Sequence, residues 1–174
     1  MLPWLVIFLY VLALAVWTGA IAFFSFVVAP SVFGALPVEQ AGNVVGLVFP
    51  AYYAIGHVCG AVLVGTAVLL RRWSRPGGGL WLVAAIVAGA ALLLSLYAGL
   101  VVQPSASELR PQLHRADTPA TVQAEFDALH RQAVQLNGGV LVGVLTLAGL
   151  LAAQLAVGVS ARRRPVRRTS DLQW

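Results

Sequence analysis

A histidine inside an uncharged apolar run is the residue whose chemistry most needs explaining. His57 stands in AYYAIGHVCGAVLVGTAVLL. If that run is a membrane helix rising 1.5 Å per residue, His57 lies about seven residues, or roughly 10 Å, below its outer end. Ionisable side chains at such depth face a bundle interior or a polar cavity. Three chemistries fit. The first is a neutral imidazole hydrogen-bonded to a hydroxyl or a backbone carbonyl, with Thr18, Ser25, Ser95 and Thr146 as candidate partners. The second is a place on a polar or substrate path. The third is ligation of haem or a metal. Desolvation favours the neutral ring, and no acidic residue falls inside an apolar run to oppose it.

Spacing limits the third chemistry. Cys59 is two positions from His57, about 200° around a helix, so the pair does not share one metal ion. His130 is expected outside the membrane, about 20 Å from His57 in depth, and His114 lies farther out in a loop. No H-x-x-x-H, C-x-x-C or E-x-x-H spacing occurs. No metal site is therefore expected, and haem b is left open as a cofactor. His130 and Asn137 are seven apart and share a helix face, with Asp127 and Arg131 beside His130. They form either a solvated cap or a polar mouth above the spans. The candidate polar path is thus His57, His130, Asn137, Ser25, Ser95 and Thr146. There is no G-x-S-x-G, no phosphate loop and no paired carboxylate in an apolar run, so no catalytic residue is assigned and no enzyme is expected.

The elements that must position these residues follow from composition. Of 174 residues, 60% are hydrophobic and only 10% charged, against about 25% charged in soluble domains. Charge gathers around residues 71–75, 105–131 and 162–171, and the runs between are long enough to span a bilayer. The pattern predicts an all-α, four-helix transmembrane bundle over residues 1–160, with spans near 3–29, 50–70, 80–102 and 138–159, and a basic tail over 161–174. The first run has no basic n-region and exceeds a signal-peptide core, so it reads as a retained span. Pro30 is expected to end it. Residues 31–49 read as a short interfacial segment, in which Val38, Ala41, Val45 and Val48 repeat at helical spacing. Val122, Phe126, Leu129, Ala133, Leu136 and Val140 form one stripe running into the fourth span. Thr118-Pro119 provides a helix start before it. A single helix over 122–159 is predicted, extended outside the membrane, bent at Gly138-Gly139 if anywhere, with Phe126 and Leu129 against segment 31–49.

All 11 basic residues counted as Lys or Arg are arginine. Because they flank apolar spans, topology explains them, and no nucleic-acid partner is expected. Loop 71–79 and the tail carry most of them, which places both termini in the cytoplasm of a bacterial inner membrane. Small residues at four-residue spacing provide packing seams in lipid. Gly19, Gly56, Gly60, Gly99, Gly139 and Gly143 are the glycines assigned to them. The same seams fit a homo-oligomer as runner-up.

Three stretches carry a resemblance. WTGAIAFFSFVVAPSVFGALP (Trp17 to Pro37), AGNVVGLVFPAYYAIG (Ala41 to Gly56) and FDALHRQAVQLNGGVL (Phe126 to Leu141) resemble the bacterial family similar to transmembrane protein 205, a domain of unknown function. Ala133 stands where that pattern has Ser. The family is distantly similar to the copper resistance protein D superfamily, which includes haem-associated membrane proteins. The resemblance implies four membrane helices and metal or small-molecule handling, and it assigns no role to His57. The leading expectation is a non-enzymatic membrane protein handling a small solute or metal, by transport or in resistance. The alternatives are a haem- or quinone-binding redox protein and a structural subunit of a membrane complex.

Overall fold

Eight helical segments make up the described part of the computed structural model, which comprises residues 3–74, 78–113 and 118–162. They are α1 (Pro3–Phe23), a π-helical turn (Phe24–Val28), α2 (Ala29–Ala35), α3 (Val38–Trp73), α4 (Gly79–Tyr97), a second π turn (Ala98–Val102), α5 (Gln103–Leu113) and α6 (Ala120–Arg162). Arg75, His114, Arg115, Asp117 and the tail from residue 163 onward lie outside the described residues. No strand occurs among the described residues. Four continuous helical stretches, Pro3–Ala35, Val38–Trp73, Gly79–Leu113 and Ala120–Ala156, are long and apolar enough to cross a membrane. The chain is an all-α, multi-pass membrane protein.

Pro30 does not end the first span. A proline lacks an N–H and its ring crowds the carbonyl four residues back. The chain absorbs this by widening one turn: the Ala29 N–H bonds the Phe24 carbonyl, five residues back, and α2 carries on to Ala35. The second π turn does the same before Pro104, with the Gln103 N–H on the Ala98 carbonyl. Helix therefore continues through residues 103–113, where the polar composition reads as loop. The real break is Leu36, extended at φ −124°, ψ 151°, the conformation that a following proline favours.

The segment 31–49 is not a separate interfacial piece. From Val38 it belongs to α3, which runs through Pro50 without a break. Thirty-six residues make about 54 Å of helix, against about 30 Å of hydrocarbon, so α3 projects from the bilayer. The fourth helix is longer still, at 43 residues, and its 122–140 stripe is buried or half-buried along its length. Outside the spans α6 packs along α5.

The spans form a ring in which α1 meets α3, α3 meets α4, α4 meets α6, and α6 returns to α1. The buried face of α4 is Trp81, Ala84, Ala88, Ala91 and Ser95. Trp81 packs edge-on against Tyr10; beyond it the face carries only small residues, so α3 and α6 both approach closely, which lipid-embedded helices need in place of a hydrophobic drive. Large side chains from α1 fill the centre: Tyr10, Leu14, Trp17 and Ile21. Phe8, Phe26, Leu47 and Leu93 point outward and present an apolar surface to lipid.

Candidate functional site

The π turn after α1 brings Ser25 to face α6, and the N-terminal half of α3 brings Tyr52 to the same place. Between them stands Asn137, at the membrane end of the α6 projection. The Tyr52 hydroxyl donates to Asn137 Oδ1, and Asn137 Nδ2 donates to Ser25 Oγ at 3.2 Å. Three separate spans are thus joined by one carboxamide. An asparagine side chain has two N–H donors and two carbonyl lone pairs. The network uses one of each, so half the capacity of Asn137 remains.

Aromatic rings back this triad. Phe24 lies 4.9 Å from Tyr52 and 5.3 Å from Phe49, and Phe49 stacks on Tyr53 at 5.9 Å. Tyr53 in turn stacks on His57 at 6.3 Å with the planes 25° apart. One turn deeper, His57 Nε2 lies 3.1 Å from the Ser95 carbonyl oxygen. A carbonyl only accepts, so Nε2 carries the hydrogen, and in the neutral ring Nδ1 is the acceptor. The partner of His57 is thus the backbone of Ser95, and none of the hydroxyls of Thr18, Ser25, Ser95 or Thr146.

The remaining candidates separate. His130 is exposed on the projection and makes no part of the triad. Thr146 is exposed and donates to the Val142 carbonyl of its own helix at 2.8 Å, so it leaves the polar path. Among the glycines, Gly56 and Gly60 form a socket for a side chain, which differs from a backbone-to-backbone seam. A Cβ at Gly56 would lie 2.9 Å from Trp17 Nε1, and one at Gly60 would lie 2.9 Å from Leu92 Cδ1 and 3.0 Å from Trp17 Cη2. Gly99 receives Tyr53, whose Cγ would be 2.8 Å from an added Cβ. Gly139 and Gly143 face Leu94 and Ala91 of α4. Gly19 packs on nothing: it is exposed, and a Cβ there meets no atom within 4 Å. Its four-residue spacing to neighbouring small residues is real, but that face of α1 points away from every other helix.

Some site residues escaped sequence reasoning. Tyr52 is not among the residues that spacing singles out, and only the fold turns its hydroxyl toward Asn137. Arg110 reads only as part of the charged stretch 105–131, yet it sits on α5 and donates from Nη1 to the Gly42 carbonyl at 2.9 Å. Gly46 leaves room for that guanidinium, since a Cβ there would fall 1.7 Å from Nη1. Among the described residues, Tyr10 Oη, Thr18 Oγ1 and Gln154 Nε2 are buried without a hydrogen-bond partner. No group of three His, Cys, Asp or Glu placed to hold a metal occurs among the described residues.

Residues 12–115 match the family model described as "Domain of unknown function (DUF4149)". That is more than half of the chain, and the chain belongs to this family. An uncharacterized protein of Aquifex aeolicus (strain VF5) is 44% identical over 59 residues, covering 34% of this chain and 42% of that protein. The matched part is thus less than half the length of that relative. No solved structure matches the chain.

Proposed function

We propose that this member of the DUF4149 family handles a small polar solute, taking it up at the outer end of the bundle where Tyr52, Asn137 and Ser25 meet. The single observation that carries this reading is the unsaturated carboxamide of Asn137, held by hydroxyls from two other spans. Polar side chains inside a membrane bundle join helices and also line substrate and ion pathways. The groups are all uncharged, so they suit a neutral solute offering both a donor and an acceptor. The resemblance of Trp17–Pro37, Ala41–Gly56 and Phe126–Leu141 to the transmembrane protein 205-like family, and more distantly to copper resistance protein D, points the same way, toward small-molecule or metal handling. We favour a solute over haem because His57 Nε2 is already engaged by the Ser95 carbonyl. The excess of Arg in loop 71–79 and the tail supports cytoplasmic termini in a bacterial inner membrane.

The test is permeation. The full chain is reconstituted in proteoliposomes, and swelling is followed by stopped-flow light scattering under glycerol and urea gradients. A copper-sensitive dye inside parallel vesicles reads metal entry. We expect faster entry of at least one solute than in protein-free vesicles, and slower entry with Asn137→Leu. Rates equal to those of empty vesicles for every solute would overturn the reading.

A further inference from the structure

The two halves of the chain have the same plan. Each is a helix, a π turn, a short proline-started helix, a break and a long helix. The π turns begin at residues 24 and 98, and the prolines that follow them are Pro30 and Pro104, each pair 74 residues apart. The sequence repeats at that interval: VVAPS over Val27–Ser31 matches VVQPS over Val101–Ser105, and Pro37 matches Pro111. Burial repeats as well. Tyr10, Leu14, Trp17 and Ile21 on α1 correspond to Ala84, Ala88, Ala91 and Ser95 on α4, and all eight are buried. On the long helices the interval is 84, after the longer connection: Gly56, Gly60 and Leu63 correspond to Val140, Val144 and Leu147, all buried.

Contacts between the halves repeat too. Ser25, second in its π turn, meets Asn137 of α6. Its counterpart Gly99, second in the other π turn, meets Tyr53 of α3, and Tyr53 is the counterpart of Asn137. The α1–α6 and α3–α4 seams are therefore equivalent positions in a two-fold plan, filled differently. The α3–α4 seam is the more extensively packed. Tyr53 closes it over Gly99, and Leu92 fills the place of Thr18. In the α1–α6 seam the same three positions are Asn137, Ser25 and Thr18. Thr18 is seven residues from Ser25 on one helix face, and its Oγ1 is buried with no partner. The α3–α4 seam has its own polar pair, His57 with Ser95, but that pair is satisfied. In parallel-repeat membrane folds the halves are related by an axis along the membrane normal, and Gly- or Pro-interrupted helices at corresponding positions mark the binding site between them.

We propose that the chain is a tandem repeat of one helical hairpin, and that its α1–α6 seam is a water-accessible site for a small uncharged hydrogen-bonding solute, the α3–α4 seam being its sealed counterpart. This rests on the solute-handling reading above and adds where the solute lies and why only one seam takes it. Thr18 Oγ1 and the spare valences of Asn137 are the groups that water or solute satisfies. The side chains that would fill the space are the ones the other half carries.

Cysteine labelling tests this in proteoliposomes of the full chain with Cys59→Ala as background. The probe is a membrane-impermeant quaternary-ammonium methanethiosulfonate, presented to both faces. Reaction needs an exposed thiol that ionises, which lipid prevents. Ser25→Cys and Thr18→Cys should be labelled, and Leu92→Cys, the counterpart of Thr18, should not. Labelling of Leu92→Cys as fast as Thr18→Cys, or silence at both Thr18→Cys and Ser25→Cys, would overturn the proposal. Equivalence of the seams has its own readout. Gly99→Ser alone should lower the melting temperature by several degrees, or prevent folding, because its Cβ meets Tyr53. Adding Tyr53→Asn, which gives the α3–α4 seam the residues of its counterpart, should restore most of the loss. Additive losses would refute the repeat. Labelling reads water in the seam and not flux, so a labelled seam in a protein that passes no solute retires the transport reading and leaves the repeat standing.

Discussion

Replacing Asn137 by leucine removes the one side chain that ties α1, α3 and α6 together at the outer end, and the size of the effect follows from its contacts. Two interhelical hydrogen bonds are lost, to Tyr52 and Ser25. In membrane bundles such bonds average about 0.6 kcal/mol each, which gives about 1 kcal/mol. The partners left behind fare differently. The Ser25 hydroxyl turns to a carbonyl of its own helix, as Thr146 does on α6. The Tyr52 hydroxyl is half-buried on the other side of the seam, and leaving a buried group unsatisfied costs about 1–3 kcal/mol. The total is about 2–4 kcal/mol, large enough to measure by SDS-titrated unfolding in mixed micelles. A cycle with Tyr52→Phe isolates the pair: the coupling energy should be about 1 kcal/mol, and the double variant should be no worse than Asn137→Leu. Thr146→Val is the control and should stay within about 0.5 kcal/mol, as substitutions away from packed features do. Zero coupling, or Asn137→Leu as stable as Thr146→Val, would refute the triad.

Glycine substitutions sort the packing positions. Gly60→Ala should destabilise by about 1–3 kcal/mol in thermal denaturation, because its Cβ presses on Leu92 and Trp17, whereas Gly19→Ala should be neutral or stabilising by up to about 1 kcal/mol, from helix propensity alone. His57→Leu should leave insertion and yield intact and cost about 1 kcal/mol or less, since the Ser95 carbonyl keeps its helical partner; a loss of solute permeation in that well-folded variant, read by the swelling assay, is the expected sign of a path residue. Arg110→Ala should raise amide hydrogen exchange over residues 103–113, and Gly46→Ala, which occupies the space of the guanidinium, should do the same without adding to it. A reporter that fluoresces only in the cytoplasm, fused after Trp174, should light up; a periplasmic reporter active at the same position would reverse the topology.

Four spans, their approximate places and the long fourth helix are readable from residue types, because apolar length and helical periodicity are local properties and lipid leaves the backbone no alternative to helix. Where that reading erred, it treated proline as a stop. Pro30, Pro50 and Pro104 all lie within continuous helical stretches, and the π turns that precede Pro30 and Pro104 are not visible one residue at a time. The echo of VVAPS in VVQPS was there to be read, but five residues gain weight only when their burial and contacts repeat as well.

The sequence alone determined that His57, Asn137, Ser25 and Ser95 are polar groups in or beside apolar helices, and that they therefore need partners. Tertiary structure decided which partner each one takes. A helix of known face still has a free rotation and depth against its neighbours, and a few ångströms of slide or some tens of degrees of turn exchange one partner for another. So His57 meets a backbone carbonyl, where four hydroxyls were candidates by composition. Tyr52 turns inward to Asn137, Thr146 turns out, and Gly19 faces lipid although its spacing matches a seam. The same freedom settled the difference between the halves: a tyrosine over a glycine seals one seam, and an asparagine beside a serine holds the other with polar groups. Packing assigns those roles, because the sum of contacts between helices depends on every side chain along both, and no single residue type encodes it.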